Sequence, residues 1–378
     1  MLSLSLIAAA PLFAPTAALS APAASTPAVD GHAFALKARH VHVGDGSVLS
    51  DAYVVVEGAT IKSVGKSAPK GVRVIEVDGH VAPGFIGMRE RTGAAGETSE
   101  SARKSTPTAD LAYAFDPEHP GWEALVANGV TTVVLTAGSD RIAGGMAAIV
   151  SPARGEVVKR GAAMTIGMSR RSISSSVEPT SYAGLHAHVK AAFEADAGGH
   201  FSRAKAGKLP VMIEAISRSE VARAAAFAKQ HGLAGAIVGA PRADETLDAI
   251  KGAKLGVVFE PLSPGSDSHV VDSVIALDAA GVPFAFTSDG RPGNMRMTAA
   301  ACTRAGLDPG AALRALTGGA AALAGVGATH GTIAAGMAAD IVVWSGSPTD
   351  LTSRVHAVYA GGDLVHSHEG AHGQGAGH

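Results

Sequence analysis

Between residues 83 and 335 the chain alternates short apolar runs with longer amphipathic stretches, and this alternation limits the fold more than any other feature. The runs "GFIGM", "TTVVLTA", "AAMTIGM", "PVMIEA", "GAIVGA", "LGVVFEP" and "PFAFTSD" read as buried strands, while "GWEALVANG", "RSEVARAAAFAKQHG", "VVDSVIALDAAG" and "PGAALRALTGGAAALAG" read as helices. Strands that alternate with helices favour a parallel sheet covered by those helices. Some 250 residues of such units is the usual size of a (β/α)8 TIM-like barrel, although an open doubly wound sheet gives a similar pattern. The composition agrees with an α/β core of small aliphatic side chains: 47% hydrophobic, 47 glycines and only 4% aromatic.

The flanks of this unit have a different period. "ALKARHVHVG", "AYVVVEGATIKSVGK" and "VRVIEVDGHVAPGF" before it, and "ADIVVWSG" and "VHAVYAGGDLVHS" after it, carry alternating or β-branched residues divided by Gly and Asp. They read as short antiparallel strands. Residues 34–82 and 336–366 are therefore expected to form one small composite β-sandwich domain from both ends of the chain, with the barrel at 83–335 between them.

The opening "MLSLSLIAAAPLFAPTAALSAPAAS" joins a short apolar run to a small-residue site at Ala18–Ala21, and the first charge is Asp30. That is a secretory pattern lacking the usual early Lys or Arg, so a signal peptide at 1–21, a linker at 22–33 and a secreted or periplasmic location are expected. Pro11 and Pro15 interrupt the run and argue against stable membrane insertion. Lys plus Arg number 31 against 33 Asp plus Glu, which leaves no broad basic field for nucleic acid. The single cysteine, Cys302, forms no internal disulfide and reads as a buried helix residue. The Gly/His end at 367–378 reads as a disordered tail.

No G-x-G-x-x-G, P-loop lysine motif or G-x-S-x-G elbow occurs. Four stretches carry a different likeness: "GHVAPGFIGM", "VANGVTTVVLTAGSDRIAGGMAAIV", "AGVPFAFTSDGRP" and "GLDPGAALRALTGGAAALAGVGATHGTIAAGMAADIVVWSGSP". Through them the sequence resembles the amidohydrolase superfamily of metal-dependent hydrolases, in particular its imidazolonepropionase-like branch, from about residue 36 to 366. The resemblance implies a hydrolase acting on carbon–nitrogen bonds other than peptides, with one or two divalent metals at the barrel mouth. In that chemistry imidazoles fix the metal, the metal acidifies its bound water, and a late-strand aspartate orients that water.

Carried over position by position, the implied ligands are missing. The paired histidines after the first barrel strand fall on Arg89 and Arg91, which have no lone pair to donate. A bridging lysine or glutamate should fall within "GAAMTIGMSRR", where none occurs; one later histidine falls on Glu214 and the next near Gly239. Asp289 alone keeps the family's residue. The expectation is a barrel without a metal cofactor, its ancestral divalent ion, such as zinc, having been lost.

Other histidines offer few replacements. His40 and His42 lie in the terminal β-domain and read as surface strand residues; His186 and His188 sit two apart on a helix and diverge. His366, His368, His372 and His378 form a tail that could take up metal adventitiously. Three functions remain open. The chain is a non-catalytic pseudoenzyme acting as a binding or assembly subunit, as a homo-oligomer or with an intact paralogue; or a hydrolase with a reduced site using Asp289 and Glu214; or a receptor for a small anionic ligand, with Arg89 and Arg91 as a clamp. In each case Arg89 and Arg91 are expected to face Asp289 or Glu214 across the mouth, with Glu90 turned away.

Overall fold

The structure, a computed structural model, describes residues 33–368 apart from 101, 139, 196–198 and 263–266. The expected signal peptide, all of the linker but residue 33, and tail residues 369–378 with His372 and His378 lie outside the described residues.

The two segments that flank the barrel meet in one sheet. Its strands are β1 (Phe34–His42), β2 (Val48–Glu57), β3 (Thr60–Gly65), β4 (Arg73–Pro83) and, after the barrel, β13 (Ile341–Trp344), β14 (Val355–Ala360) and β15 (Asp363–Ser367), in the order β15-β14-β13-β4-β1-β2-β3. Hydrogen bonding joins all seven in a single sheet and does not divide them between two layers. The all-antiparallel expectation fails at one seam, because β4 runs parallel to β1, with Leu36 beside Ile75 and His40 beside His80. Leu36, Val41, Val54, Val81, Ile341 and Val343 fill the core on one side of this sheet. The first two residues of the expected tail are held by the sheet: Ser367 ends β15, and His368 N–H donates to the His356 carbonyl at 2.9 Å.

The second sheet is the barrel: β5 (Phe85–Glu90), β6 (Val130–Leu135), β7 (Ala143–Ser151), β8 (Glu156–Gly167), β9 (Val211–Ala215), β10 (Gly235–Gly239), β11 (Gly256–Phe259) and β12 (Phe284–Phe286), paired in sequence order. Seven of these run parallel. The eighth, β7, is antiparallel to both neighbours and was not among the expected strands. Eight strands joined by seven ladders make a nearly closed barrel. Across the remaining seam, between β5 and β12, the Thr287 hydroxyl donates to the Arg89 carbonyl at 3.2 Å and the Ser288 hydroxyl donates to the Glu90 carboxylate.

The helices are α1 (Gly121–Ala127), α2 (Tyr182–Ala195), α3 (His200–Lys205), α4 (Arg218–His231), α5 (Leu247–Ala253), α6 (Asp267–Ala279), α7 (Asn294–Arg304), α8 (Pro309–Leu316) and α9 (Gly318–Ala324). Parallel strands covered by helices are apolar on both faces. Thus Val134, Met212, Val238 and Val258 pack inside the barrel, while their neighbours Val133, Ile213, Ile237 and Val257 pack outside against the helices. The stretch expected as one helix over residues 309–325 breaks at Thr317, whose hydroxyl donates to the Leu313 carbonyl at 2.7 Å and to the Gly44 carbonyl at 3.3 Å. A hydroxyl satisfied this way bends or ends a helix.

Cys302 is fully buried on α7, and burial pushes its thiol up to about 12. Only a thiolate reacts readily. Native protein is therefore expected to resist a thiol-specific reagent at pH 8 and to react once denaturant is added; rapid labelling of the folded chain would contradict this burial.

Candidate functional site

Strand β5 delivers Arg89 to the carboxyl end of the barrel in an unusual conformation. Its φ is +52°, in the left-handed region, and the β5–β6 register shifts between Gly87 and Glu90. Simple alternation therefore fails here. The Arg89 guanidinium lies nearly buried between two carboxylates, with Nη2 2.6 Å from Glu214 Oε2 and Nη1 2.8 Å from Glu260 Oε1. Arg171 closes the arrangement from the end of β8, with Nη1 2.9 Å from the same Glu260 oxygen and 3.7 Å from Glu214 Oε2. The Ser169 hydroxyl donates to Glu214 Oε1 at 2.7 Å and accepts from Arg171 N–H at 3.1 Å.

Two cations and two anions thus form a neutral network, and charge-assisted bonds of this kind are the strong ones. Burial works against ionisation of Glu260, but the bond from Arg171 and the Arg89 charge hold its carboxyl below the ordinary range. Burial also opposes the Arg171 cation, and the bond and charge of Glu260, with the charges of Glu214 and Asp289, more than offset that. Beneath Arg89 and Glu214 a void of only about 10 Å³ remains, walled by Ala137, Thr165, Met212 and Val238. That is barely one water's worth of space.

Glu90, expected to turn away from the mouth, is not among the residues that line the mouth cavity. It is buried, and its carboxylate accepts from the N–H groups of Arg91 at 3.0 Å and Thr92 at 3.1 Å besides the Ser288 hydroxyl, thereby fixing the turn that leaves β5. Asp289 lies just past β12 at φ +48°. It approaches Arg91 at 3.6 Å with both side chains about half exposed, a pair that contributes little. Gly239 ends β10 at φ +98°, and a Cβ there would stand 3.1 Å from the Ala215 carbonyl oxygen.

A second network braces the first. Glu220, in the first turn of α4, accepts from the N–H groups of Arg170 at 2.8 Å, Ile216 at 3.0 Å and Ser217 at 2.9 Å, and from the Tyr182 hydroxyl. Burial opposes its ionisation, but the bonds from Tyr182 and the three N–H groups outweigh that and hold its carboxyl below the ordinary range. It ties the ends of β8 and β9 together, and those ends carry Ser169, Arg171 and Glu214.

Above these networks opens a cavity of about 740 Å³, lined by Arg91, Asp140, Arg171, Glu260, Asp289 and Arg291 among others. The sequence-derived residues Arg89, Arg91, Glu214 and Asp289 do converge here. Glu260, Arg171, Ser169, Glu90 and Ser288 were not anticipated, although "VVFEP" and "TIGMSRR" place polar groups just where parallel strands end, the position at which barrels build their sites.

The sequence model of the amidohydrolase family matches residues 168–365, more than half of the chain. The chain belongs to the amidohydrolase family. Within it, 86 residues are 42% identical to an imidazolonepropionase of Chromobacterium violaceum, covering 21% of each protein, so the match spans about a fifth of that relative's length. Among solved structures the chain is similar to an amidohydrolase from Thermotoga maritima, with 20% identity and a TM-score of 0.79 over 89% of this chain and 100% of that one. It is also similar to the A. niger ochratoxinase, with 16% identity and a TM-score of 0.57 over 90% and 96%. These likenesses establish the fold.

The family implies a divalent metal at the mouth, and the residues present do not fit one. Arg89 and Arg91 offer no lone pair, Gly239 has no side chain, and both oxygens of Glu214 are taken by Ser169 and Arg89. Among the described residues no group of three or more His, Cys, Asp and Glu is placed to hold a metal ion. A hydrolytic step through metal-bound water has no ligand set here.

Proposed function

We propose that this chain is a non-hydrolytic member of the amidohydrolase family, of imidazolonepropionase-like descent, that binds a small polar molecule in the barrel mouth. The observation that carries the reading is Arg89 held between Glu214 and Glu260 at 2.6 and 2.8 Å, its fixed charge replacing that of the ancestral ion. The same contacts weigh against the two alternatives. Glu214 is committed to Arg89 and Ser169 and is not free to act with Asp289 as an acid–base pair. Arg89 is neutralised by two carboxylates and makes no clamp with Arg91.

Ligand binding falls instead to the exposed groups above the network, where Arg91, Arg291, Asp140 and Asp289 offer both signs of charge around about 740 Å³. A role as an assembly subunit beside an intact paralogue is a further consequence of the same loss.

The test is an assay of carbon–nitrogen hydrolysis on a panel including an imidazolone, with and without added zinc, alongside a thermal-shift screen of small polar molecules. The reading predicts no turnover in either condition and a stabilising ligand whose effect is lost in Arg91→Ala or Asp289→Ala. Zinc-dependent turnover abolished by Asp289→Ala would overturn it.

A further inference from the structure

His40, His42 and His80 cluster in the composite sheet, away from the mouth. The parallel pairing of β1 with β4 sets His40 beside His80, with ring centroids 4.4 Å apart, and His42 Nε2 lies 2.8 Å from His80 Nδ1. His42 is only 9% exposed, contrary to its reading as a surface residue, and the other two are half-buried. The neighbouring strands give them nothing that titrates in this range: β2 sets Ser50 opposite His40 and Val48 opposite His42, and β13 sets Trp344 opposite His80. The charges that bear on His42 are those of His80 and His40, and on His80 those of His40 and Arg39; Arg39 itself lies 3.7 Å from Asp78.

We propose that these three imidazoles form an acid-sensitive latch across the β1–β4 seam, closed while neutral and opened by proton uptake. The His42–His80 bond holds one proton between two nitrogens, one ring donating and the other accepting. A first added proton goes to the outer nitrogen of the donor ring and keeps the bond, at the cost of charging a desolvated ring. A second can go only to the nitrogen that accepts the bond. The bond is then lost, two cations face each other across it, and a charged His40 adds a third.

Burial, then the charges of His80 and His40, draws His42 from 6.5 down to about 4, and burial likewise lowers His80. Rings neutral in the fold and protonated when unfolded make unfolding take up protons. The latch's stability is therefore fully present above pH 6.5 and is lost as pH falls towards 4. The latch also lies on the path to the mouth, since β4 passes through Pro83 and Gly84 directly into β5 and Arg89.

The experiment uses the full chain. Imidazole nitrogen NMR of wild type should show His42 neutral at pH 6, titrating well below 6.5, and His80 also titrating below 6.5, with amide protection along β1 and β4 lost before that of β8–β11. Between pH 7 and pH 5 the thermal midpoint of His42→Gln should fall by about 3 °C less than that of wild type; the half-buried His186 and His231 act equally in both proteins. Titration of His42 and His80 as independent groups near 6.5 would overturn the latch, as would equal pH dependence in the two proteins. Should His42→Gln fail to fold, the wild-type titration decides alone.

Discussion

Arg89→Met is expected to destabilise the fold by about 3 to 5 kcal/mol, the usual cost of removing one partner from a buried ion pair. Glu214 is only 2% exposed in its side chain, so removing Arg89 takes away a cation 2.6 Å from its carboxylate, while Arg171 stands farther off at 3.7 Å. Methionine fills the volume but supplies no charge. The double variant Arg89→Met/Glu214→Met removes both charges together and should recover most of the loss, because a buried pair replaced by apolar side chains is often no less stable. Urea denaturation measures both. A single variant within about 1 kcal/mol of wild type, the size of an ordinary point substitution, would show that the carboxylates do not depend on Arg89.

The second large effect is expected at Glu220, which never touches the cavity. Glu220→Ala leaves three backbone N–H groups and the Tyr182 hydroxyl without their acceptor, and each buried unsatisfied donor costs about 1 to 3 kcal/mol. Water will reach some of these groups, so a total near 3 kcal/mol is expected. Because Arg170 N–H is one of the four donors, the turn holding Ser169 and Arg171 should loosen as well. Glu220→Gln keeps an acceptor oxygen and should lose less. Equal losses for Ala and Gln would mean that packing at this position matters more than the bonds.

The barrel was legible because its strands are buried on both faces and punctuated by helices of clear period. The strand β7 was not, since "AGGMAAIVS" is rich in Gly and Ala and lacks the β-branched signature, and its antiparallel direction follows from the tight return into β8. At the site, the sequence set Arg89 and Arg91 against Asp289 or Glu214; Arg89 meets Glu214 at 2.6 Å, whereas Arg91 only approaches Asp289 at 3.6 Å. The sequence could not give the left-handed φ of Arg89, which breaks the two-residue alternation of the strand. Glu260 is not legible in the sequence, because its role arises from an arginine that needs a second carboxylate. His42 and His80 were unreadable as a pair, since their contact depends on the parallel seam between β1 and β4.

The same geometry explains why simple reversal should fall short. Histidine at Arg89, Arg91 and Glu214 restores three imidazoles, but Gly239 holds φ +98° with a carbonyl oxygen 3.1 Å from any added Cβ, so a side chain there is strained.

On the function proposed above, the Arg89 guanidinium, and no metal, supplies the positive charge at the barrel mouth. Elemental analysis of untagged protein ending at residue 368, exposed to zinc and then passed through gel filtration without chelator, tests this directly. Far less than one zinc per chain is expected in wild type; about one per chain, lost on replacing Asp289 or Glu214, would contradict the proposed function.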